Sequence, residues 1–268
     1  MTAIADHPLR YALTNELHAR PSPVIAYPAT AVFMALKPAQ DAAARDRDAD
    51  RAHLYDLLAR HGAPHPAPEA THHACTLGRH GLKWENHTEF TTWVAFAEGL
   101  SERPFDPAAF DVFPADWLAR APGVRVTSVL FRIEEMPMQR GACDSAAIMR
   151  KLEDWFVGES LAAVKVLDGA AVVASDFRID PAGHVRMAIW VRPDTGARRL
   201  GRIVQRLCEI EMYRAMSMLG LARARDVGRE IGVLDRRLAE LVSGMAGGGR
   251  QADEVLDGLM AVSAELER

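Results

Sequence analysis

Val227, Ile231, Leu234, Leu238 and Leu241 recur at intervals of four, three, four and three residues, so they stay on one seam of a helix at the 3.5-residue spacing of a coiled coil. Such a seam needs another helix against it, and that requirement constrains the chain more than any other feature. Gly244 to Gly249 interrupts the pattern, and Val255, Leu259, Val262 and Leu266 resume it up to the terminal Arg268. The last helix has no cap within the sequence, which leads to the expectation that the natural chain is longer or that these helices pair with a partner. Upstream, Asp194 or Thr195 is placed to cap a helix with Leu200, Ile203, Val204, Leu207 and Ile210 on one face and Arg198, Arg199, Arg202 and Arg206 on the other. Gly220 is expected to end that helix.

Before Pro193 the pattern is that of strands and shorter helices. An apolar stripe at Leu9, Leu13 and Leu17 marks a short helix that Pro21 and Pro23 terminate. Strands are expected over 30–36, 73–77 and 82–97, with a helix over 41–60 whose core face is Leu54, Leu57 and Leu58. An irregular crossover containing prolines 104, 107 and 114 leads to a strand over 124–134, a helix over 145–156, and strands over 162–167, 171–179 and 184–191. This order implies an α+β fold: a mixed or antiparallel sheet with helices on one face, then long helices with coiled-coil spacing. An α+β domain over 1–193 and a helical region over 194–268 are the expected units. Within the first, 24–100 and 124–192 both read as β-α-β-β, which leaves an internal duplication open.

The composition excludes several classes of function. Acidic and basic residues nearly balance, at a formal net charge of −4 over 268 residues, so no strong field draws the chain to nucleic acid. The three cysteines, Cys75, Cys143 and Cys208, are far apart and form no Cys-x-x-Cys pair, which fits a reducing compartment. The N-terminus lacks the basic flank and apolar stretch of a secretory signal, and no window approaches the roughly 18 apolar residues of a membrane span, so the chain as given is expected to be soluble.

The densest polar run is Lys83 to Phe90. If it is one strand, Glu85, His87 and Glu89 share a face, and a divalent ion is the cofactor they imply, provided the strand bends or His72 and His73 join from a neighbour. The plainer reading is a solvated row on the open face of an antiparallel sheet. Glu16, His18 and Arg20 bring together a carboxylate, an imidazole and a guanidinium that suit anion binding or proton transfer, or simply complement a helix end. Asp176, Arg178 and Asp180 are expected to form exposed cross-strand pairs. No nucleophile elbow, phosphate loop or His-Glu-x-x-His helix is present, and enzymatic activity is not expected.

Several blocks in order carry a resemblance: His7 to Arg10, Leu13 to Pro21, Lys83 to Thr92, and Gly201 to Leu207 with Glu209 to Glu211 and Tyr213-Arg214. Together they resemble the domain of unknown function 3422 family, bacterial proteins described as predicted membrane-anchored. The resemblance covers most of the chain and implies a membrane segment that this chain lacks, with the α+β part on the cytoplasmic face. The reading that follows is the cytosolic part of a membrane-anchored interaction or sensory module, a homo-oligomer through Val227, Ile231, Leu234, Leu238 and Leu241. The alternatives are a metal-binding or metal-dependent domain using Glu85, His87 and Glu89, and a cytosolic domain of an ion-transport protein.

Overall fold

A computed structural model describes residues 4–8, 10–11, 21–39, 45–246 and 252–266. The helix expected around Leu9 to Leu17 lies almost wholly outside the described residues. β1 (Ala29–Lys37), α1 (Arg47–Arg60), β2 (His72–Leu77), β3 (His80–Asn86) and β4 (Thr91–Glu98) come first. A 3-10 turn (Pro107–Val112) and the one-turn α2 (Ala115–Leu118) lead into β5 (Val124–Glu135). A short ribbon of β6 (Met138–Gln139) and β7 (Ala142–Cys143) precedes α3 (Ser145–Trp155). β8 (Ala162–Val166), β9 (Ala171–Ser175) and β10 (Val185–Val191) complete the strands, followed by α4 (Ala197–Ala246) and α5 (Ala252–Leu266). The fold is mixed α+β, as the sequence implied.

Eight strands form one sheet in the order β2-β3-β4-β1-β5-β10-β9-β8. Every neighbouring pair is antiparallel except β5 and β10, which run parallel because the chain between them crosses through α3. The stretches 24–100 and 124–192 each supply a strand, a helix and a three-strand meander, and β1 and β5 pair at the centre of the sheet. The likeness is one of order: β1 pairs antiparallel with β4, whereas β5 pairs parallel with β10.

Alternation along the strands divides the core into two layers. Met34, Trp84, Trp93, Leu130 and Trp190 belong to one cluster with Leu54, Leu57 and Leu58 of α1, Ile148 and Leu152 of α3, and Trp117. Asp46 starts α1, its carboxylate accepting from the Asp48 and Ala49 amides at 2.9 and 3.1 Å, and Asp144 caps α3 in the same way through the Ala147 amide. The opposite set, Phe33, Val129, Phe131, Met187 and Ile189, is also buried. Over it lies the first part of α4, whose Leu200, Val204, Cys208 and Met212 are all buried. Thus α1 and α3 occupy one face, and α4 covers the other.

Three local expectations are corrected. The strand expected over 82–97 is two strands: β3 ends at Asn86, the His87 amide donates to the Phe90 carbonyl at 2.9 Å, and β4 returns with Glu85 opposite Thr92. β9 stops at Ser175 because the Asp176 carboxylate accepts from the Val157 and Arg178 amides at 3.1 and 3.2 Å and from Arg186 at 3.0 Å. Asp176 is therefore a buried clasp, not part of an exposed cross-strand pair. Finally, Gly220 ends nothing: α4 is a single helix of 50 residues and Gly220 is not among the glycines with positive φ.

The compact units divide between Met212 and Tyr213, inside α4, where the sequence had placed the change at 193/194. The first unit takes in the start of α4 because that part is packed on the sheet. In the second unit α5 turns back beside the end of α4. The Arg237 guanidinium pairs with the Glu265 carboxylate at 2.9 Å, and Gly258 fits against Leu241, where a Cβ would stand 2.6 Å from Leu241 Cδ2.

Candidate functional site

The alternation of β3 points Trp84 and Asn86 toward α1 and Lys83 and Glu85 toward α4. Lys83 is 5 % exposed, and its ammonium lies 3.1 Å from Glu85 Oε1 and 3.2 Å from Gln205 Oε1 on α4. Gln205 in turn donates to Glu209 at 2.9 Å, and Glu209 also accepts from Arg206 at 2.7 Å. Two residues after Glu209, the buried Glu211 carboxylate accepts from Thr127 Oγ1 at 2.8 Å. Cys208 lies within this row, and burial pushes its thiol well above the ordinary value, so it is not a thiolate nucleophile. A solvated row on an open sheet face is therefore not what β3 presents. Lys83 and Glu85 are satisfied beneath a helix, and the arrangement sets where α4 sits on the sheet.

Glu85, His87 and Glu89 do not share a strand face, because His87 and Glu89 belong to the turn. His87 stacks on Phe90 at 4.4 Å with Nε2 3.3 Å from Thr92 Oγ1, while Glu89 reaches Lys37 at 3.7 Å and its side chain is 53 % exposed. His72 does pair opposite Glu85 on β2. Among the described residues no three His, Cys, Asp or Glu side chains converge on a point that could hold a metal ion. Glu16, His18 and Arg20 lie outside the described residues.

Across the sheet, on the α1 side, is a second buried polar group. The Arg45 guanidinium donates to the Asn86 side chain and the His87 carbonyl and lies 3.2 Å from Asp50, both charged side chains being almost wholly buried. Burial lowers the Arg45 pKa and raises that of Asp50. His53 stacks on Trp117 at 3.8 Å and meets Trp93 edge-on at 6.0 Å. Burial holds its imidazole down to about 4, so it is neutral at physiological pH. These groups tie the 87–90 turn and α1 to the aromatic core. They were legible in principle: Asp50 and His53 precede Leu54 and Leu57 by one helical turn, and Glu211 follows Val204 by two.

The continuity of α4 lengthens the heptad seam. Counting back from Val227, the same alternation of three and four residues passes through Ala224, Gly220, Ser217 and Tyr213. Leu241 is buried with Val255 and Val262 where α5 packs, but Tyr213 is 64 %, Ile231 49 % and Leu238 39 % exposed. Val227 and Leu234 are half-buried. Apolar side chains left in water at Tyr213, Ile231 and Leu238 are unfavourable on a lone helix, whose stability depends on packing of its apolar face.

Over residues 5–268 the sequence matches the family described as protein of unknown function, DUF3422. The chain belongs to this family. No curated protein and no solved structure matches it. The DUF3422 match spans both units, so the polar row under α4 and the exposed seam lie within one family region. Among the described residues of this DUF3422 protein no helix is long and apolar enough to cross a membrane.

Proposed function

We propose that this DUF3422 protein is a non-enzymatic interaction module that associates with a second copy of itself through α4. The observation that carries this reading is the seam of α4 from Tyr213 to Leu238, where Tyr213, Ile231 and Leu238 are exposed and Val227 and Leu234 are half-buried. The polar groups of the α+β body support it from the other side. Of the groups on β3 and the 87–90 turn that looked suited to chemistry, Glu85 is paired with Lys83 beneath α4, and the His87 imidazole is held against Phe90 and Thr92. The membrane attachment implied by the family resemblance is compatible with such a module, and the described helices do not provide it.

Sedimentation equilibrium of the full chain tests this. At about 100 µM, well above the Kd near 1 µM of a weak specific pair, the wild type is expected to associate. Leu234→Glu is expected to shift the association constant about a hundredfold or more toward monomer, because it sets an unpaired carboxylate in the seam. Circular dichroism should show the fold unchanged. A monomeric wild type, or an associating protein whose mass Leu234→Glu leaves intact, would contradict the proposal.

A further inference from the structure

The seam of α4 is uneven. Its first half is small, with Ser217, Gly220 and Ala224, and its second half is bulky, with Val227, Ile231 and Leu234. Glycine inside a helix costs about 1 kcal/mol relative to alanine. A Cβ at Gly220 would meet nothing within 4 Å, so no packing within the chain requires glycine there.

We propose that α4 pairs antiparallel with the α4 of a second copy, about a two-fold axis between Arg225 and Asp226. This rests on the reading of α4 as a self-association surface and adds its orientation and register. Antiparallel seams place alternate positions in mixed layers, so Ala224 meets the partner's Val227, Gly220 the partner's Ile231 and Ser217 the partner's Leu234. Val227, Ile231 and Leu234 then each have a small residue opposite, and the glycine supplies the hole that a β-branched side chain needs. The layer of Tyr213 and the partner's Leu238 closes each end, over a helix length of about 39 Å.

Charge selects the same register. Residues preceding the seam face their counterparts across an antiparallel pair, which sets Arg223 beside the partner's Glu230 and Glu230 beside the partner's Arg223. Both side chains are exposed in the chain itself. Sliding by one heptad in one direction brings Arg223 against the partner's Arg223, and in the other direction Glu230 against the partner's Glu230. A parallel in-register pair sets Glu230 beside the partner's Asp235 twice over and stacks Gly220 on Gly220, leaving the first half of the seam hollow. Volume and charge thus agree on one arrangement among those the seam spacing allows.

Association constants of full-length charge variants, measured by sedimentation equilibrium at low salt, test the orientation. Glu230→Arg places arginine opposite the partner's Arg223 and is expected to weaken association about tenfold, as two attractive contacts become repulsive. Arg223→Glu combined with Glu230→Arg is expected to restore it. If Glu230→Arg leaves association unchanged or strengthens it while Leu234→Glu still dissociates the protein, the antiparallel register is wrong and self-association stands. If the wild type is monomeric, or Leu234→Glu has no effect either, both are wrong.

Discussion

Replacing Gly201 with alanine is expected to destabilise the protein by about 3 kcal/mol, the upper end of the usual cost of inserting an atom into packed structure. Helix propensity alone gives the opposite sign, since alanine is favoured over glycine by about 1 kcal/mol in a helix interior. What overrides it is the segment from Pro21 to Ala26, which runs against α4. A Cβ on Gly201 would lie 1.6 Å from the Pro23 carbonyl oxygen and 2.7 Å from its carbon, and those are backbone atoms that cannot rotate aside. The Ile25 amide bonds the Ala197 carbonyl at 3.3 Å one turn away, and Ile25 itself is buried, so the segment has little room to retreat. The midpoint of urea unfolding reads the effect directly. A higher midpoint for Gly201→Ala would show that the Pro23 segment does not dock there.

The second large effect is loss of stability in mild acid. Burial lowers the His53 pKa from the ordinary 6.5 to about 4, so between those values the unfolded chain binds a proton that the folded chain refuses. Stability contributed by neutral His53 is therefore complete above pH 6.5, declines as pH falls, and is lost by pH 4, a difference of about 3 kcal/mol. His73, His80 and His184 are lowered by burial as well and act with the same sign. Asp50, raised by burial, acts oppositely, because its folded carboxyl retains a proton that the unfolded chain has released above about 3.8. In His53→Phe the stacking partner of Trp117 is kept and the titrating group is gone. Unfolding free energies from pH 7 to 4.5 are expected to fall less steeply in this variant than in the wild type. Equal slopes would place His53 in contact with water.

Much of the α+β body was legible because its periodicities are local. The apolar face of α1 at Leu54, Leu57 and Leu58 and the helix over 145–156 were expected from local pattern, and both occur, α3 ending one residue earlier at Trp155. The split between β3 and β4 was not legible. Glu85 to Glu89 are polar without a break, but no glycine or proline marks a turn, and the pairing of Glu85 with Thr92 reveals it. Gly220 misled in the opposite way: glycine ends a helix where the chain needs a positive φ, and α4 continues because the residues on either side keep helical geometry. The buried state of Lys83 and Glu211 depends on α4 lying over β3 and β5, a contact between residues more than eighty positions apart that no local pattern encodes.

The central claim, that the seam of α4 is an association surface, is tested most directly by amide hydrogen exchange of the full chain at a series of protein concentrations. Protection over Ser217 to Leu238 is expected to rise with concentration while protection of β1 and β5 stays constant, because only the helix gains a partner. Exchange over Ser217 to Leu238 that is fast and independent of concentration would contradict the account.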